Sequence, residues 1–133
     1  MAGKIVADTL EHSTAGSVTT DYVVNGSAKA WGNYSNGRDV GTTIRDSFNT
    51  SSQTDIGTGR HDITLTNSMS NDDYAVATSG AYDETASGSA GYGTVATNDL
   101  TTSDFHQETG PYSTGPQPAD IEVVLFTIHG DLA

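Results

Sequence analysis

Cysteine is absent from the chain, which excludes disulfides and thiolate metal sites and leaves the redox compartment unreadable. Cationic side chains are scarce: 5 Lys and Arg stand against 17 Asp and Glu, a formal net charge of −12. Such a surface repels polyphosphate and anionic lipid, so neither nucleic-acid binding nor membrane insertion is expected. Long apolar runs are missing too. Nothing approaches the roughly 18 residues of a membrane span. The opening MAGKIVADTLEHSTAG holds one Lys and no apolar stretch of signal-peptide length. Synthesis in a cytoplasm, with exit by a route such as cell lysis, is the expectation. Apolar residues make up 34% of the 133 residues, against about 45–50% in average proteins on a count that includes Gly. A single domain over 1–133 with a thin core follows. Association with further copies is expected to supply part of its stability.

Thr, Ser, Gly and Asn fill the space that apolar residues leave. Thr suits strands, and Gly and Asn suit tight turns. Asn25-Gly26 separates VTTDYVV (Val18–Val24) from AKAWGNY (Ala28–Tyr34), and Asn36-Gly37 separates that run from VGTTIRDSF (Val40–Phe48). Asn-Gly between alternating runs is the strongest short-range hairpin signal, since a type I′ turn needs positive φ at both central residues. A three-stranded meander over Val18–Phe48 is therefore predicted. NTSSQTDIGTG reads as a polar loop. RHDITLTN (Arg60–Asn67) alternates as a strand with one wet face: Ile63 and Leu65 share a side with His61 and Asn67, while Arg60, Asp62, Thr64 and Thr66 take the other. In YAVATSG, Tyr74 and Val76 share a face. Residues 80–117 read mainly as long Gly- and Tyr-rich loops, with room for short strands such as Gly93–Asn98, and 1–17 as an N-terminal attachment arm. No stretch keeps helical apolar spacing, so no helix is predicted.

DIEVVLFTIHG (Asp120–Gly130) is the one nearly continuous apolar run. Ile121, Val123 and Leu125 fall on one face, Val124, Phe126 and Ile128 on the other. Apolar side chains on both faces predict a strand covered on both sides. One cover is assigned to the chain's own core and the other to a neighbouring subunit, with Trp31, Val124, Phe126 and Ile128 as the predicted interface. A central strand of a two-layer monomer is the competing reading.

Residues that carry chemistry are present without the spacing that chemistry needs. His12, His61, His106 and His129 stand far apart, so a zinc site could form only in space, best at His129 on a threefold axis. An edge-of-strand surface histidine is the preferred reading. The acidic pairs Asp72-Asp73 and Asp83-Glu84 match no EF-hand loop. No Ser lies in a nucleophile elbow, and Gly88–Gly93 does not match a phosphate loop. Neither enzymatic activity nor a metal or other cofactor is expected. Tyr82, Tyr92 and Tyr112 sit among glycines. Tyrosine suits adaptable binding loops because it offers area and a hydroxyl at low entropic cost, so all three are candidate receptor or glycan contacts; loops pinned by buried tyrosines are the competing reading.

One stretch is also distinctive as a string. It runs through Trp31-Gly-Asn33-Tyr34, Ile44-Arg45-Asp46-Ser47-Phe48-Asn49, Thr54-Asp55-Ile56-Gly57-Thr58-Gly59 and Met69 to Tyr74. It resembles a β-rich module of tail-fibre and other virion proteins of tailed phages, marine ones especially, and covers about a third of the chain. The resemblance implies a virion structural protein, tail fibre or tail-associated, with host-surface glycan contact as a further role. The alternative is a head decoration protein that bridges shell subunits. The expected fold is all-β, an antiparallel β-sandwich or jelly-roll-like domain. It is expected to assemble as a homo-oligomer, a trimer, beside other virion proteins.

Overall fold

The computed structural model describes residues 5–36, 42–82, 90–111 and 117–133, with residues 42, 90 and 92–98 described by their backbone alone. The fold is all-β and antiparallel. In chain order the elements are β1 (Thr9–His12), β2 (Gly16–Thr19), α1 (Thr20–Gly26), β3 (Ala30–Asn36), β4 (Thr42–Phe48), β5 (Thr50–Gly57), β6 (Arg60–Leu65), β7 (Ala75–Ala81), β8 (Ala90–Leu100), β9 (Asp104–Pro111) and β10 (Val123–His129). Among the described residues β1 and β2 pair only with each other. β3 to β10 form one sheet in the order β4-β3-β10-β7-β8-β9-β6-β5.

That sheet folds over on itself. β4 and β5, its two ends, are joined through Asn49 alone, which adopts a left-handed φ of 55°. The Asn49 side chain holds the corner: Nδ2 donates to the carbonyls of Lys29 (3.0 Å) and Asn67 (3.1 Å), and Oδ1 accepts from the amide of Asn67 at 2.7 Å. β3 is thereby brought across the interior from β9, where the Tyr34 hydroxyl donates to Gln107 Oε1 at 2.8 Å. Between them lie Tyr34, Ile63, Leu65, Phe105, Ile121, Val124, Phe126 and Ile128, all buried. Phe105 and Phe126 meet edge to face at 5.1 Å. Each fully buried side chain of this kind contributes about 1.5–3 kcal/mol.

The alternation of β6 is as predicted, with His61, Ile63 and Leu65 buried and Arg60, Asp62 and Thr64 on the outer side. The predicted pairing of the second and third runs is present as the β3–β4 ladder, which carries a bulge between Asn33 and Tyr34; the turn residues 37–41 lie outside the described residues. Three expectations are corrected. Thr20–Gly26 is a helix, so Asn25-Gly26 closes a helix rather than a hairpin, and neither residue takes the positive φ of a type I′ turn. The polar loop 49–59 is largely β5, held by its ladder to β6. The long loops of 80–117 contain β8 and β9, paired with one another.

Candidate assembly surface

The outer sides of the two halves of the sheet differ in chemistry. On β6 and β9, directly opposed residues are ionic or polar: Arg60 Nε meets Glu108 Oε1 at 2.9 Å, Asp62 Oδ1 meets His106 Nδ1 at 3.2 Å, and Thr64 faces Asp104. Exposed pairs contribute about 0–1 kcal/mol each. They mark this side as one that suits water.

On β4, β3, β10 and β7 the outer side mixes large apolar with small and polar residues. One row across the ladders reads Phe48, Trp31, Thr127, Ala77, and the next reads Asp46, Asn33, Leu125, Ser79. Phe48, Trp31 and Leu125 remain 53%, 38% and 40% exposed. Trp31 and Phe48 are opposed directly, and Leu125 is the diagonal neighbour of Trp31, within reach of its large side chain. Beside Phe48 an open groove of about 580 Å³ is lined by Val23, Val24, Ser27, Lys29 and Leu132. Adjacent exposed aromatic and aliphatic side chains are the composition of an interaction surface.

Of the predicted interface residues, Trp31 lies on this side. Val124, Phe126 and Ile128 do not, and their assignment is corrected: they point into the chain's own core and are buried there. The outer side of β10 consists of Val123, Leu125, Thr127 and His129. Leu125 and Phe48 are the residues that sequence reasoning missed. With both sides of the run apolar, alternation separates its two faces without saying which one turns inward.

The candidate glycan contacts are not gathered into one site by the described residues. Tyr82 is half-buried and packs against the core. Tyr92 lies in β8, its side chain outside the described residues, and Tyr112 lies outside them altogether. Among the described residues no group of three His, Asp or Glu could hold a metal ion, and no helix is long and apolar enough to cross a membrane. His129 sits exposed at the end of β10, opposite Ala75.

The interior carries a polar seam. Asn36 Nδ2 donates to Thr109 Oγ1, the amide of Ile121 donates to Asn36 Oδ1, and Gln53 Nε2 donates to His61 Nδ1 at 3.2 Å. His61 Nε2, Gln107 Nε2 and Gln53 Oε1 are buried without a protein partner. Burial holds the His61 imidazole below its ordinary pKa, and the carboxylates of Asp55, Asp120 and Asp62 offset only part of that effect. Polar groups that bond only in one alignment fix the register between β3, β5, β6 and β9. No protein-family model matches the chain, and neither a characterised protein nor a solved structure does.

Proposed function

We propose that this chain is a non-enzymatic structural component of a phage particle, tail fibre or tail-associated, in which several copies pack through the outer side of β4, β3 and β10. One observation carries the reading: Phe48 and Trp31, with Leu125 diagonal to Trp31, stay exposed on one side of a sheet whose other outer side carries ion pairs. A lone chain in water gains nothing from that asymmetry, whereas a subunit buries the row against its neighbour. The module resemblance at Trp31–Tyr74 supplies the particle. The folded-over sheet is compatible with a β-sandwich or jelly-roll-like unit, and a trimer is the expected closed form. Contact with host glycans would fall to the segments that bear Tyr92 and Tyr112.

Immunogold labelling of intact particles tests the location. Label at the tail is the expected result; label confined to the head would replace the tail reading with that of a decoration protein bridging shell subunits. Unlabelled particles would remove the virion reading. Light scattering on Leu125→Asp tests the packing side: the variant should remain folded while the assembly mass falls to that of one chain.

A further inference from the structure

We propose that the N-terminal segment 5–26 is an exchange arm that packs on the apolar Trp31–Phe48–Leu125 surface of a second copy of this chain. The inference rests on the assembly part of the reading above and names the element that performs it.

The arm cannot be stable as it stands in one chain. β1 and β2 are four residues each, pair only with each other and bury nothing. α1 has seven residues, no side-chain cap at Thr19 and no buried residue. An isolated two-stranded hairpin is at best marginal in water, and so is a helix shorter than about 12 residues. Within the arm, order comes from local bonds: the amide of Thr20 donates to the carbonyl of Asp8 at 3.0 Å, and its hydroxyl to that of Ala7 at 2.8 Å. Its tie to the body is narrow, chiefly Lys29 Nζ donating to the carbonyl of Val24.

Yet the arm is rich in what an interface uses. Ile5, Val6 and Tyr22 are 90%, 81% and 75% exposed, and Leu10, Val18, Val23 and Val24 are exposed as well. In its own chain the arm reaches the apolar surface only at its rim, where Val23 and Val24 border the groove beside Phe48, and Trp31 and Leu125 stay exposed. Both halves of a contact are therefore present in one polypeptide and largely unsatisfied there, the arrangement from which head-to-tail association arises.

Charge favours the same pairing. Residues 5–26 carry Asp8, Glu11 and Asp21 and no Lys or Arg. Residues 29–48, which include the receiving strands β3 and β4, hold Lys29, Arg38 and Arg45 against Asp39 and Asp46, a net +1 in a chain of −12. Two copies otherwise repel, so an acidic arm meeting the least acidic part of its neighbour is the approach that electrostatics permits. β4 is also an end strand of the sheet, the kind of strand to which β1 or β2 of another copy can add.

Mixing full-length variants tests this. Val6→Asp/Tyr22→Asp disables the arm without touching the core, and Leu125→Asp disables the surface; Phe48→Ser, on the end strand, serves if Leu125→Asp fails to fold. By analytical ultracentrifugation the wild type should form a closed oligomer. Each variant alone should be a folded monomer, its dissociation constant raised by about tenfold or more. An equimolar mixture of arm and surface variants should give a heterodimer and nothing larger, because one intact arm then meets one intact surface. If the arm variant assembles as the wild type does, or the mixture stays monomeric, the exchange arm is refuted while a face-to-face assembly stands. A monomeric wild type overturns both.

Discussion

Phe126 stands directly opposite Gly32 in the β3–β10 ladder, and its ring occupies the space a side chain at position 32 would need. A Cβ built on Gly32 would fall 2.8 Å from Phe126 Cζ, closer than packed carbon atoms come. The glycine is there to let the largest side chain of β10 lie flat against β3, where it also reaches Phe105 and Tyr34.

Gly32→Ala should therefore cost about 1–3 kcal/mol through overpacking, read as a lower urea midpoint at unchanged slope. Gly26→Ala is the control, since nothing lies within 4 Å of a Cβ there, and should stay within about 0.5 kcal/mol.

Neighbours on β10 should separate folding from assembly. Ile128→Ala removes a fully buried side chain and should cost about 2–5 kcal/mol. Leu125→Ala acts on an exposed one, so single-chain stability should shift by no more than about 0.5 kcal/mol while assembly weakens. Equal effects of both on chemical denaturation of the monomer would contradict the assignment of the two faces.

The corner residue offers a graded series. Asn49→Gly keeps the left-handed φ and loses the bonds to Lys29 and Asn67; Asn49→Ala loses both. Urea midpoints should fall in the order wild type, Gly, Ala, the last step adding about 1 kcal/mol for strained backbone.

Acid should weaken the fold through His61. Its folded pKa lies below the unfolded one, so the neutral ring costs nothing above about pH 6.5. As pH falls below that, the unfolded chain takes up a proton that the folded interior resists, and stability declines. Urea midpoints at about pH 8 and about pH 5.5 should differ, and His61→Gln should lose part of the difference.

At the alkaline end the sign reverses. Burial raises the Tyr34 pKa, and burial with Asp104 and Asp72 nearby pushes Tyr74 up to about 12. Both contribute stability that is whole below the ordinary tyrosine pKa of about 10 and is lost above it. Tyr34→Phe leaves Gln107 Oε1 without its donor and should cost about 1–3 kcal/mol near neutrality. Its disadvantage relative to wild type should shrink above about pH 10.

The sequence was most legible where one face of a strand is wet. Arg60–Leu65 could be read residue by residue because Asp62 and Thr64 face solvent. β5 was opaque, since TSSQTDIG has no apolar alternation and is a strand by virtue of its ladder to Arg60–Leu65. α1 was hidden because none of its residues is buried, which leaves no helical stripe to detect. Gly-rich β8 and β9 resemble loops until each supplies the other's partner. The binding side went astray at Val124, Phe126 and Ile128, where apolar residues on both faces give periodicity nothing to decide with.

β10, last of the strands in chain order, lies between β3 and β7 at the centre of its half of the sheet. Val124 pairs with Tyr34, some ninety residues earlier, so this join cannot close until the strand around Val124 has left the ribosome. Pairing across such separations is slow and leaves strand edges exposed to other chains meanwhile. For a nascent chain, the inner edges of β3 and β7 stay bare until β10 emerges, and a net charge of −12 helps keep crowded nascent copies apart through that interval.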